Sequence, residues 1–148
     1  MTFHFKLEPV LTVRKNLEEQ IQLKLAREQM ILSNHQLRIK DLQAKRIELC
    51  KAMEEKIKHT MQARNFLFHM DSIRVLELQV HILINTIAAQ KQIVARVQTE
   101  LAEAMKQRKI IDVLRENALQ KYLGEARRKE QNESDEQALL RYGRGIVL

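Results

Sequence analysis

Five histidines, one cysteine and 19 acidic residues are the side chains with which this 148-residue chain could do chemistry. Their spacing argues against it. A helical metal site needs two ligands three or four residues apart, so that both point from one face. His4, His35, His59, His69 and His81 offer no such pair. Cys50 is alone, which excludes a zinc-finger framework and an internal disulfide, and nothing suggests an oxidising compartment. Gly143 and Gly145 stand close to the C-terminus and Gly124 is isolated, so there is no glycine-rich loop to cradle a phosphate. A catalytic triad needs several elements converging on a cleft. The expectation is a non-enzyme with no catalytic residue, no cofactor and no metal.

The charge balance points to partners. Lys and Arg number 26 against 19 acidic residues, a net charge of +7, which favours acidic surfaces, membranes or nucleic acid without choosing among them. A DNA-binding zipper would concentrate its basic residues in one block ahead of the heptads. Here the first 60 residues intermix 12 basic with 8 acidic ones. The densest basic cluster, Arg127 to Lys129, is bracketed by Glu125 and Glu130, which reads as a solvated helix face. No nucleic acid is expected. The N-terminus lacks the continuous apolar stretch of a signal peptide. The longest uncharged run, Leu78 to Gln90, is shorter than a membrane span and contains Gln79, His81, Asn85 and Thr86. These features lead to the expectation of a reduced, cytoplasmic protein.

The elements behind these residues are long helices. With 45% hydrophobic residues but only 3 Gly, 1 Pro, 4 Phe, 2 Tyr and no Trp, the composition suits neither an ordinary globule nor a disordered chain. From Val10 to Leu123 there is neither Gly nor Pro. Such a run must be a coiled coil or a helical hairpin. In its second half Phe66, Ile73, Val80, Ile87, Val94 and Leu101 recur every seven residues. His69, Leu76, Leu83, Gln90, Val97 and Ala104 follow each by three, the a/d spacing that keeps two rows on one seam. The first half is patchier. One row holds Leu11, Leu25, Leu32, Ile39 and Met53, interrupted by Glu18 and Arg46; its companion holds Ile21, Leu42 and Leu49, interrupted by Arg14, Glu28, His35 and Lys56. Long basic side chains can cover apolar surface with their stems while their heads reach water. The same polar positions could also meet a partner.

Both seams pause between Lys56 and Asn65, which places the reversal there, with Asn65 a candidate N-cap. The expected fold is all-α, a long antiparallel two-helix coiled-coil hairpin. Its parts are a lead-in over 1–9, a first helix over 10–57, a turn over 58–65, a second helix over 66–140 and a frayed tail over 141–148. Pairing about that turn sets Leu25 near Leu101 and the N-terminus near Tyr122. Past Tyr122 the second arm outruns the first, and Gly124 could stop or flex it. One continuous helix that dimerises is the competing arrangement.

The two ends carry a resemblance. The opening Phe3-x-Phe5-x-Leu7-x-x-Val10-Leu11-x-x-Arg14 is similar to the start of the FliJ family, coiled-coil proteins of the bacterial flagellar export apparatus. The ending, Glu133, Ser134, Asp135, Glu136, Ala138, Tyr142 and Arg144, resembles that family's Asp-Glu signature with its trailing aromatic and basic residues. The resemblance spans essentially the whole chain. It implies an antiparallel two-helix fold similar to the stalk subunit of rotary ATPases. It also implies a non-enzymatic role: insertion into the hexameric export ATPase ring, stimulation of ATP hydrolysis, contact with the export gate and handling of substrate chaperones. The implied ring-facing residues are Phe3, Phe5, Leu11, Arg14, Asp135, Glu136 and Tyr142.

The family's gate-contacting face maps toward the turn, around Phe66, Met70 and Ile73, where seam packing competes for the same side chains. The implied location is cytoplasmic, touching the inner face of the membrane only through the gate. Two other readings fit the heptads: a structural or dimeric coiled-coil adaptor, and the equivalent stalk of an injectisome.

Overall fold

The structure, a computed structural model, describes residues 2–146, except for the side chain of Ile146. Two helices make up the fold, α1 (Glu8–Lys58) and α2 (Ala63–Ile146), and no strand occurs among the described residues. It is the all-α helical hairpin that the heptads predict. Helix α1 opens at Glu8, whose charge suits the positive end of the helix dipole, with Pro9 in the first turn where no amide hydrogen is missed. Lys56 and Lys58 close it against the negative end.

The reversal is tighter than its sequence suggests. Residues 59–62 alone separate the helices, and no glycine helps. Thr60 takes the left-handed conformation instead, with φ 61°, and its hydroxyl donates to the carbonyl of His59 at 2.5 Å. Asn65, expected to cap α2, lies inside it; the first-turn amide of Phe66 is bonded to the carbonyl of Gln62. At the other end α2 runs past Gly124 without a break and stays helical across 141–146, where fraying was expected. Val147 and Leu148 fall outside the described residues.

Contacts divide the chain into two units, Gln20–Ala102 and Met1–Glu19 with Glu103–Leu148. In the first, α1 and α2 run antiparallel about the turn. Leu42, Val80 and Leu83 are buried together, with Ile39, Leu76 and Ile87 packed against them. Met53, Ile73, Val94 and Val97 are also buried, and Leu25, Leu32, Leu49 and Leu101 are half-buried. Phe66 departs from the predicted seam, remaining 37% exposed. Helix α1 ends at Lys58, and the last seam position it offers is Lys56, whose ammonium is turned to Nε2 of His69, so α1 brings no apolar seam residue after Met53. In the second unit the start of α1 packs on α2 through Leu11, 2% exposed, and Ala104. Ile111, Ala118 and Tyr122 are half-buried. From Leu123 to Gly145 every described side chain is exposed except Ala126.

Candidate functional site

Four of the polar residues that interrupt the first-arm seam, Glu18, Glu28, Arg46 and Lys56, are partnered across it. In the unit that holds the N-terminus, Glu18 is buried and accepts a hydrogen bond from Nε of Arg108, while Nη1 of the same guanidinium donates to Asp112 at 2.5 Å. Those bonds, the one donated to Glu18 foremost, push Arg108 above its ordinary pKa. Seven residues on, Arg115 donates to Glu8 at 2.9 Å and lies over the ring of Phe3, 5.9 Å from its centroid. Phe3 in turn tilts against Tyr122, with ring centroids 5.5 Å apart. The lead-in segment is thereby held on α2 by an aromatic contact, a cation–π contact and an ion pair.

In the hairpin unit the same logic recurs. Gln90, buried, donates both to the backbone carbonyl of Glu28 at 3.0 Å and to its carboxylate at 2.6 Å. Arg46 meets Glu77 at 3.2 Å, Lys24 meets Glu100 at 3.3 Å, and Lys56 approaches Nε2 of His69 at 3.3 Å. No buried side-chain nitrogen or oxygen among the described residues lacks a partner. Polar layers of this kind weaken a seam relative to leucine but disfavour slipped registers, in which a charge would be buried alone.

The expected ring-facing residues all lie in the N-terminal unit. Phe3, Phe5 and Arg14 are half-buried, and Leu11 is fully enclosed, leaving it no surface to offer a partner. Asp135, Glu136 and Tyr142 stand on the exposed last turns of α2, Tyr142 at 70% exposure, with Leu139 and Leu140 beside it at 68% and 65%. The structure brings Phe3 to Tyr122 rather than to the Asp-Glu segment.

Of the expected gate-facing trio, Ile73 is buried in the hairpin seam, whereas Phe66 and Met70 are each 37% exposed. None of the three lines the open groove of about 880 Å³ that the hairpin unit carries, which is floored by Leu49, Ala52, Phe68, Val75 and Leu76. No cluster of metal-binding side chains occurs among the described residues.

Sequence reasoning left out Arg108, Asp112, Arg115 and Glu8. The signal was present: Arg108, Arg115 and Tyr122 continue the row of Leu101 at seven-residue intervals. Charged residues on a seam row ask for opposite charges across it, and Glu18 and Glu8 supply them.

Comparison with known proteins fits this geometry. The family described as Flagellar FliJ protein matches residues 3–146. A solved structure of a putative YscO homolog from Chlamydia trachomatis superposes with a TM-score of 0.62, covering 94% of each chain at 19% identity, a likeness of fold. No curated protein matches.

Proposed function

Since the chain belongs to the FliJ family, we propose that it is a stalk-like, non-enzymatic component of the bacterial flagellar type III export apparatus. In this reading it binds the hexameric export ATPase, stimulates its hydrolysis, and links it to the export gate and to substrate chaperones. The protein works in the cytoplasm and meets the membrane only through the gate. The observation that carries the ATPase contact is the course of α2 beyond Leu123. That segment stays helical with no α1 residues left to cover it, and it presents Asp135, Glu136, Leu139, Leu140 and Tyr142 to solvent. A helix that buries none of its large apolar side chains gains its packing from elsewhere.

The division of labour follows from burial. Asp135, Glu136 and Tyr142 touch the ring, with Phe5 and Arg14 at the edge of the same unit. Leu11, Phe3 and the Glu18–Arg108 pair act from within by holding the α1 start in place. A helical pair with unlike faces changes an ATPase ring by contacting its subunits unequally, because only differential contacts shift a conformational equilibrium. The gate is met nearer the turn by the exposed parts of Phe66 and Met70, which Ile73 anchors from the seam.

The deciding experiment adds the purified protein to the purified hexameric export ATPase and follows ATP hydrolysis. Stimulation that is lost in Glu136→Ala and Tyr142→Ala supports the reading. An unchanged hydrolysis rate, with no co-elution of the two proteins, overturns it and leaves a structural adaptor.

A further inference from the structure

The outward face of α1 in the hairpin unit carries a second pair of heptad rows, turned away from the seam. One row is Leu23, Met30, Leu37 and Ala44; three places after each come Ala26, Ser33, Lys40 and Ile47. All eight are exposed, and Leu23, Met30, Leu37 and Ile47 are each more than half uncovered. Of the described residues between Gln20 and Lys51, α1 exposes one other large apolar side chain, Ile31. One place before the first row stand Gln22, Gln29, Gln36 and Gln43, and one place after the second stand Arg27, Asn34, Asp41 and Glu48. Positions flanking a coiled-coil seam are where charges select the partner. Here one flank is four neutral amides in a chain of which 30% is charged, and the other runs from positive to negative along its length.

We infer that two copies of the chain pair antiparallel through this face, α1 on α1, about a two-fold axis between Asn34 and Gln36. A two-fold interface must be complementary to itself, with position i facing j and j facing i. The pairing rules are visible in the hairpin seam. There a second-row residue of one helix packs with a first-row residue of the other, as Leu42 does with Val80. The flanking Lys24 and Glu100, each one place before its first row, meet each other at 3.3 Å. Applied to the outward rows, the same rules set Leu23 on Ile47, Ala26 on Ala44, Met30 on Lys40 and Ser33 on Leu37, each layer occurring twice. The stem of Lys40 lies along Met30 while its head reaches water. On one flank Gln29 meets Gln43 and Gln36 meets its own copy, amides that both donate and accept. On the other flank Arg27 meets Asp41, Gln20 meets Glu48 and Asn34 meets its own copy. No like charges face each other at these flanks.

The register is specified by the same side chains. A slip of one heptad either way sets Leu23 against Lys40 or Glu54 instead of Ile47. The paired rows, Leu23 to Ile47, span about 36 Å at 1.5 Å per residue. Two chains of net charge +7 repel at long range, and the two Arg27–Asp41 contacts oppose that repulsion where the copies touch. Ser33 and Lys40 in the central layers weaken the contact relative to leucine, so the dimer is reversible and concentration-dependent. The inference does not depend on the export role, and its failure leaves that role untouched.

The test is sedimentation equilibrium of the full chain over a wide concentration range. The mass should climb from 17.5 kDa toward twice that value as concentration rises. Arg27→Asp, which sets carboxylate against carboxylate, should weaken the dimer about tenfold with the circular dichroism spectrum unchanged, and adding Asp41→Arg should restore it. In a Cys50→Ser background, Asn34→Cys beside the axis should cross-link to its own copy on oxidation, and Gln22→Cys, far from the axis, should not. A chain that remains monomeric throughout overturns the proposal and leaves the face to a partner of another sequence. A dimer indifferent to Arg27→Asp, one that the charge exchange leaves weak, or one cross-linked equally through both cysteines overturns it as well.

Discussion

Gln90 and Glu28 sit across the hairpin seam with the amide of one donating to both the backbone carbonyl, at 3.0 Å, and the carboxylate, at 2.6 Å, of the other. In sequence the two look like defects, a Gln in the stronger row and a Glu in the weaker. In the folded chain each is the reason the other is tolerated.

Replacing one partner should expose that dependence. Gln90→Ala leaves the Glu28 carboxylate half-buried without its donor, and stability should fall by about 1–3 kcal/mol. Gln90→Leu with Glu28→Leu should restore or exceed the original stability, because a well-packed apolar layer avoids the desolvation of both groups. Urea unfolding followed by circular dichroism measures both. A single variant as stable as the parent would mean that the pair does not hold the seam.

Arg108 offers a second case, read as pH dependence. Its pKa is raised by the hydrogen bonds to Glu18 and Asp112, so the folded state favours the protonated form. The stabilisation is fully present below the ordinary arginine pKa and is lost only as pH rises past it, outside the working range. Unfolding midpoints should therefore be insensitive to this guanidinium between pH 6 and about 9. Arg108→Met should lower the midpoint throughout that window, because it strands the buried Glu18. A loss appearing only at one end of the window would contradict this account.

Leu11 anchors the start of α1, enclosed at 2% exposure. Leu11→Ala should cost about 2–3 kcal/mol. The effect should be local, with amide hydrogen exchange accelerating across residues 8–19 and 103–122 far more than around Leu42 and Val80. Uniform acceleration along the whole chain would show that the N-terminal unit does not open separately.

Thr60 is a β-branched residue at φ 61°, a conformation that a side chain disfavours. Thr60→Gly removes that strain but admits more freedom in the unfolded chain. The balance should be a gain of up to about 1 kcal/mol, read as a higher melting temperature. A lower one would indicate that the Thr60 hydroxyl bond to His59 outweighs the strain.

Tyr142 separates function from stability. It is 70% exposed and touches nothing that holds the fold, so Tyr142→Ala should change stability by less than about 0.5 kcal/mol. In the export reading the same change removes most of the stimulation of ATP hydrolysis. Loss of both together would make Tyr142 a structural residue.

The amino-acid sequence alone determined that this chain is long coiled-coil helix, because a seven-residue apolar period without Gly or Pro has few other solutions. It favoured one reversal over a continuous helix, which the two helices of the structure bear out. It also determined which rows face inward. Ile73, Val80, Leu83, Val94 and Val97 are buried where the period puts them, and the match over residues 3–146 agrees with the motifs at the two ends. What only the tertiary structure decided is the partner of each polar seam residue. Glu18 with Arg108 and Glu28 with Gln90 are separated by 90 and 62 positions, and nothing local distinguishes them from surface charges. Their pairing depends on the register of one helix against the other, which is set by the turn at Thr60 and by all the seam contacts at once. The exposure of Phe66 was decided the same way. Periodicity assigns a residue to a face, but only the end of α1 at Lys58 determines whether anything apolar is there to cover it.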